Sequence, residues 1–267
     1  MKPLDLDFWR RSASGPPRIV GHRGAKGDAP ENTLGSFARA VSLGTKAVEL
    51  DVRTCATGEL VVFHDPTLAR LTEGRDARRI ADLPFSELAR VRLPAGERVP
   101  MLAEVLERLA PDGAGVNVEM KHDVPDRAAV VRATAELLRA KDPRVPVIVS
   151  SFHPAMLLAL APLAPGIPLA LLVHRSNYHP AMIAAALAAA RLGRPALHAV
   201  HLERTITTAR RVTALRERGL LVSVWTVNDR AEASRLASMG VDSVISDEPG
   251  GLLQAGSEPG RSSPPAP

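Results

Sequence analysis

The feature that most constrains this chain is a rhythm. Short runs of β-branched and aliphatic residues fall at 18–21, 47–52, 60–64, 115–119, 147–150, 169–172, 197–201, 221–225 and 241–245. Between them lie longer stretches whose apolar residues recur at helical spacing: 33–43, 102–109, 126–140, 154–160, 180–191, 207–218 and 230–239. Strands that alternate with helices are joined by crossovers, and crossovers give parallel pairing. The runs are nearly continuous in apolar residues, as strands covered on both faces are. With 60–64 read as the continuation of the 47–52 strand beyond the turn at Thr57-Gly58, the strand count is eight. Eight strand–helix units in 267 residues predict an α/β fold, a (β/α)8 TIM barrel with an insertion after the second strand. A doubly wound open sheet is the weaker alternative, because no glycine fingerprint follows the first strand.

The expected organisation is an N-terminal arm at 1–17, a barrel domain at 18–255 and a disordered tail at 256–267 rich in Pro, Ser and Gly. The insertion, about 65–100, is too long for a strand–helix loop and too polar for core, so it should lie over one end of the barrel. The first residues carry acids and no apolar stretch, which argues against a secretory signal. The uncharged stretch 155–173 is interrupted by Pro162, Pro165, Gly166 and Pro168 and reads as helix, turn and strand rather than as a membrane span. Net charge is +5, but the arginines are scattered and aromatic residues are only 3%, so no nucleic-acid-binding surface is expected. A single cysteine, Cys55, excludes an intramolecular disulfide framework and an all-cysteine zinc site. A soluble, cytoplasmic protein is the expectation.

Barrels place polar chemistry at the C-terminal ends of their strands. His22-Arg23-Gly24 ends the first, Glu49 and Asp51 lie in the second, and His64-Asp65 ends its continuation. Glu119-Met120-Lys121 ends the third, Ser150-Ser151-Phe152 the fourth, His201-Leu202-Glu203 the sixth and Trp225-Thr226-Val227-Asn228 the seventh. Side chains two apart on a strand share a face, so Glu49 and Asp51 point the same way, as do Glu119 and Lys121. Three carboxylates converging on a barrel interior need compensation, and a hard divalent cation, Mg²⁺ or Ca²⁺, supplies it with all-oxygen ligation. Arg23 and Lys121 add the positive charge of an anion site, for which phosphate is the commonest ligand. His22 and His64, beside the acids, suit proton transfer near neutral pH. His122, His153, His174, His179, His198 and His201 are assigned structural or peripheral places. The stretch from Asp28 to Thr33 reads as a loop entering a helix, with Asn32 or Thr33 as its cap.

In this order, His22-Arg23-Gly24, Pro30-Glu31-Asn32-Thr33, Glu49-Leu50-Asp51-Val52, His64-Asp65, Val99-Pro100-Met101-Leu102, Glu119-Met120-Lys121, Trp225-Thr226-Val227-Asn228 and Ile245-Ser246-Asp247 resemble the glycerophosphodiester phosphodiesterase family over roughly 19–249. The resemblance implies a barrel with an insertion after its second strand. It implies His22 and His64 as the general acid–base pair and Glu49, Asp51 and Glu119 as metal ligands. Arg23 and Lys121 are implied as the phosphate clamp, and Trp225 as a wall of the substrate pocket. The implied reaction is metal-dependent hydrolysis of a small phosphodiester to glycerol 3-phosphate and an alcohol. The alternatives are a phosphodiesterase of the lysophospholipase D or sphingomyelinase D kind, or a non-catalytic phosphate-binding barrel. Only Phe152 and Trp225 among the aromatic residues fall at strand ends, enough to wall a glycerol-sized pocket but thin for an acyl chain.

Overall fold

A computed structural model describes residues 6–12, 15–140, 144–177 and 197–253. A one-turn helix, α1 (Leu6–Trp9), precedes β1 (Arg18–Gly21), and α2 (Leu34–Ser42) leads to β2 (Ala47–Thr54) and β3 (Leu60–Val62). Then come α3 (Phe85–Leu88), α4 (Leu102–Leu109), β4 (Gly115–Met120), α5 (Arg127–Ala140), β5 (Val147–Ser151), α6 (Pro154–Leu163) and β6 (Leu169–Val173). The chain closes with β7 (Ala199–Glu203), α7 (Ala209–Arg216), β8 (Leu221–Trp225), α8 (Arg230–Ser238), β9 (Ser243–Ser246) and α9 (Pro249–Leu253). The strands run in the order β1-β9-β8-β7-β6-β5-β4-β2, and β1 also pairs with β2, so the parallel sheet closes on itself as an eight-stranded barrel. The helices pack outside, and 155–173 is the helix, turn and strand that its prolines dictate.

β3 corrects one reading. It is the antiparallel return strand of a hairpin, with Val52 opposite Val62 and Thr54 opposite Leu60, and not a continuation of β2. Period-two alternation is the same in both directions of travel, so the sequence pattern did not distinguish the two. The segment that follows is also less polar in effect than its composition suggests. Phe63, Leu68, Ile80, Leu83, Leu88, Leu93 and Val99 bury themselves with Val61 and Cys55 in a small core of their own. Cys55 is packed in this core, its Sγ 3.1 Å from Glu59 Oε2. The expected helix at 180–191, His179 and the tail from 256 lie outside the described residues.

Strand alternation divides the barrel into an outer and an inner set. Val48, Leu50 and Val52 face the helices, as do Val116, Val118, Val147, Val149, Val222 and Val224. The inner floor is Val20, Ala47, Ile148, Ala170, Ala199, Leu221 and Ile245, and Trp9 from α1 packs into it from below. Phe8 accompanies Trp9, and a Cβ at Gly115 would collide with the edge of the Phe8 ring, which explains the glycine that opens β4. Above the floor the interior turns polar. Asn117 pairs in register with Glu49, His201 with Ser223, and Ser223 with Ser243. The carboxylates lie above this layer or enter it, at the C-terminal mouth.

Candidate active site

The loop after β1 is shaped by its backbone. Arg23 and Asn32 both take left-handed conformations, φ 51° and 57°, and Gly24 stands at φ 89°. Such a backbone is strained for arginine by roughly 1–3 kcal/mol. A Cβ at Gly24 would come within 2.7 Å of the Ser36 carbonyl carbon, so no larger residue fits there without displacement. This turn aims the Arg23 amide at Glu49 Oε2, 3.0 Å away. Asn32 Nδ2 donates to Asp51 Oδ2 at 2.9 Å, while Thr33 caps α2 by accepting from the Ser36 amide. The 28–33 loop is thus more than a helix entry, because Asn32 holds a carboxylate of the site.

Glu49, Asp51 and Glu119 are 4%, 1% and 7% exposed. Each offers an oxygen within 4.8 Å of the others. Asp51 and Glu119 are register neighbours on β2 and β4. Lys121 Nζ lies 3.3 Å from Asp51 and 2.8 Å from Glu119, and Arg23 Nε lies 3.2 Å from Asp51. Burial alone would raise the pKa of Asp51, but Lys121 and Arg23 outweigh it and hold that carboxyl below the ordinary range. Burial, followed by repulsion from Asp51 and Glu119, pushes Glu49 well above its ordinary value. Glu119 is raised by burial too, against the pull of Lys121. Burial works against a charged Lys121, yet Asp51 and Glu119 keep it firmly protonated. Two cations therefore leave one acid of the three uncompensated. A third, divalent charge on this all-oxygen set fits that deficit, and the hard donors suit Mg²⁺ or Ca²⁺.

Both predicted histidines reach the mouth, each anchored through Nδ1. His22 Nδ1 is 2.5 Å from Asp247 Oδ1, and its Nε2 is 3.8 Å from Glu49 Oε2. His64 Nδ1 is 2.6 Å from Asp65 Oδ1. A carboxylate on one ring nitrogen fixes the tautomer and turns the other into the pocket. Burial lowers the pKa of His64, with Lys121 and Arg23 adding to the shift and Asp51 and Asp65 opposing it. The two histidine arms are joined by Glu31, a buried carboxylate that accepts from Arg23 Nη1 at 2.8 Å and from Arg70 Nη2 at 2.7 Å. Arg70 in turn donates to Asp65 at 2.6 Å. Behind His64, the buried Arg53 gives Nε and Nη2 to the His64 carbonyl and grips Asp123, in the loop after Lys121, at 2.7 and 2.8 Å.

The other half of the mouth is aromatic. Trp225 packs edge to face on Phe152, ring centroids 5.7 Å apart, and stacks with His174 at 5.9 Å. His174 Nε2 is 3.5 Å from Glu203 Oε2. His174, expected in a structural or peripheral place, thus packs beside Trp225 at the mouth. The sequence reading also gave no role to Asp247, Glu31, Arg70, Arg53 or Glu203. His198 is structural, its Nδ1 accepting from the Leu169 amide, and His201 is sealed in the polar layer beneath.

A strand-end acidic triad, two carboxylate-anchored histidines and a double cation suit in-line displacement at phosphorus. The match is not confined to the site. Residues 22–251 fit the model of the glycerophosphoryl diester phosphodiesterase family. The chain belongs to that family. A glycerophosphodiester phosphodiesterase of Caldanaerobacter subterraneus is 28% identical over 242 residues, covering 88% of this chain and 96% of the relative. One from Bacillus subtilis is 29% identical over 259 residues, covering 88% and 85%. Among solved structures, an Oleispira antarctica phosphodiesterase in complex with the product sn-glycerol-3-phosphate superposes with a TM-score of 0.80 at 28% identity, covering 91% of this chain and 98% of that one. The predicted polar side chains His22, Arg23, Glu49, Asp51, His64, Glu119 and Lys121 lie together at one end of this glycerophosphoryl diester phosphodiesterase barrel.

Proposed function

We propose that the chain hydrolyses soluble glycerophosphodiesters to glycerol 3-phosphate and an alcohol, and that it needs Mg²⁺ or Ca²⁺. The observation that carries this reading is the buried Glu49–Asp51–Glu119 triad flanked by two histidines whose Nδ1 atoms are both committed to aspartates. Glu49, Asp51 and Glu119 would hold the ion, which supplies Lewis-acid polarisation of the phosphoryl oxygens. Arg23 and Lys121 position the non-bridging oxygens and favour charge that grows on them in the transition state. One imidazole takes the proton of the attacking oxygen, from water or from the glycerol hydroxyl next to the phosphate. The other gives a proton to the departing alcohol. Asp247 and Asp65 keep each ring aimed. With water as the nucleophile a single displacement releases the alcohol and leaves glycerol 3-phosphate; with the glycerol hydroxyl the alcohol leaves a cyclic phosphate, and the two imidazoles exchange roles as water opens it. Residues 65–100 act as an insertion on the 18–255 domain and contribute Arg70 to the ion-pair network of the mouth. Among the described residues no helix is long and apolar enough to cross a membrane.

The test is glycerol 3-phosphate release from glycerophosphocholine, before and after exhaustive chelation and with Mg²⁺ or Ca²⁺ restored. Activity that falls to background and returns with the ion supports the reading. Full turnover in a metal-free sample removes the metal assignment.

A further inference from the structure

The mouth is divided by strand. β9, β1, β2 and β4 bring His22, Arg23, Glu49, Asp51, Glu119, Lys121 and Asp247, a dense set of charges. β5, β6, β7 and β8 end instead in Phe152, His174, Glu203 and Trp225. Trp225 is the centre of this second half. Its ring reaches across from β8 to meet Phe152 after β5 and His174 after β6, and its Nε1 donates to the His201 carbonyl on β7. Its register partner on β7 is Glu203. Glu203 accepts from the Arg175 amide and from Thr205 Oγ1, both at 2.9 Å, which fixes its carboxylate against the His174–Trp225 stack. All four side chains are partly exposed.

A phosphodiester presents two arms to such a mouth once its phosphate is fixed over the triad. A polyol arm is neutral and asks for several hydrogen-bond partners. An arm ending in a substituted ammonium asks for aromatic faces and one nearby anion, and loses little hydration when it leaves water. Resting on the phosphodiesterase reading above, we propose that Trp225, Phe152, His174 and Glu203 form a leaving-group subsite that selects cationic amino-alcohol head groups over neutral ones. The aromatic faces favour a quaternary ammonium, and Glu203 supplies charge for any ammonium.

The test compares kcat/KM for glycerophosphocholine, glycerophosphoethanolamine and the neutral glycerophosphoglycerol on one preparation of metal-loaded enzyme, in the wild type, Glu203→Gln and Trp225→Leu. A ratio of two substrates is independent of the folded fraction, so partial misfolding of a variant leaves the readout intact. The wild type is expected to prefer glycerophosphocholine to glycerophosphoglycerol by about tenfold, the scale of a partly desolvated cation–aromatic contact. Glu203→Gln should shrink the preference for both ammonium substrates. Trp225→Leu should shrink it for the choline ester more than for the ethanolamine ester, mainly through KM. A wild-type ratio near one, or ratios unmoved by both variants while glycerophosphoglycerol is still cleaved, overturns the subsite and leaves the phosphodiesterase reading standing. A wild type that cleaves none of the three overturns both.

Discussion

His22 and His64 show how far single residues carry the function. Both stand at strand ends with Nδ1 engaged, and only Nε2 of each is left to face substrate. His22→Ala and His64→Ala are each expected to lose on the order of 10²-fold or more in kcat. The double variant should lose far less than the product, since the two groups serve one turnover. Steady-state glycerol 3-phosphate release decides it, and near wild-type kcat in either single variant would return that histidine to a packing role. His22 and the three acids were legible in the sequence because strand period and strand-end position are local properties, whereas His64 comes to the mouth on an antiparallel return strand that the pattern had placed as a continuation of β2. The anchors of these side chains were not legible. Asp247 lies 225 residues from His22 and meets it only when the barrel closes. Arg70 meets Glu31 from 39 residues away, out of a stretch after β3 that has no periodic pattern to locate it. Asn32 reads as a cap residue until its left-handed backbone turns its amide toward Asp51.

Among the elements, β2 and β4 do the most, because their parallel register holds mutually repelling acids side by side. Without an ion, Glu49 is pushed toward its protonated form by burial and by Asp51 and Glu119. Glu49→Gln imitates that protonated carboxyl, so the metal-free variant is expected to melt no lower than the wild type. Added Mg²⁺ or Ca²⁺ at about 100 times its Kd should stabilise the wild type by about 2.7 kcal/mol, a rise of several degrees in Tm for a chain of this size. The variant should show little of that rise. Calorimetry on both proteins checks the pair of expectations, and an unshifted wild-type Tm with either ion counts against the site. Helix and strand placement followed from periodicity nearly everywhere it was tested by the described residues. It failed at β3, where alternation carries no direction. It also failed to show the small core around Phe63 and Ile80, whose apolar residues are spread through irregular backbone.

Over the whole molecule, the barrel interior is layered from an apolar floor through a neutral polar belt to a charged mouth. His201 lies in the belt, and burial pushes its pKa down to about 3. Below pH ~6.5 the unfolded chain binds a proton there that the folded chain refuses. The stabilising effect is complete above that pH and is lost as the pH falls toward the folded value. Urea unfolding between pH 7.5 and 4.5 should show the wild type losing up to about 1.4 kcal/mol per pH unit more than His201→Asn. Equal slopes would mean that the belt admits a charge. The floor depends on a residue outside the barrel strands: Trp9→Ala should cost about 3–5 kcal/mol in chemical denaturation, with KM unchanged because the mouth is at the other end. A change in KM, or a loss below 1 kcal/mol, would show that α1 is only loosely docked. The chain has just two tryptophans, and the barrel keeps them at opposite ends, Trp9 sealed in the floor and Trp225 open at the mouth. The protein therefore carries its own pair of optical probes. In Trp225→Phe the remaining emission follows the folding of the floor, and in Trp9→Phe it follows what arrives at the mouth, so folding and ligand binding become separately visible without a label.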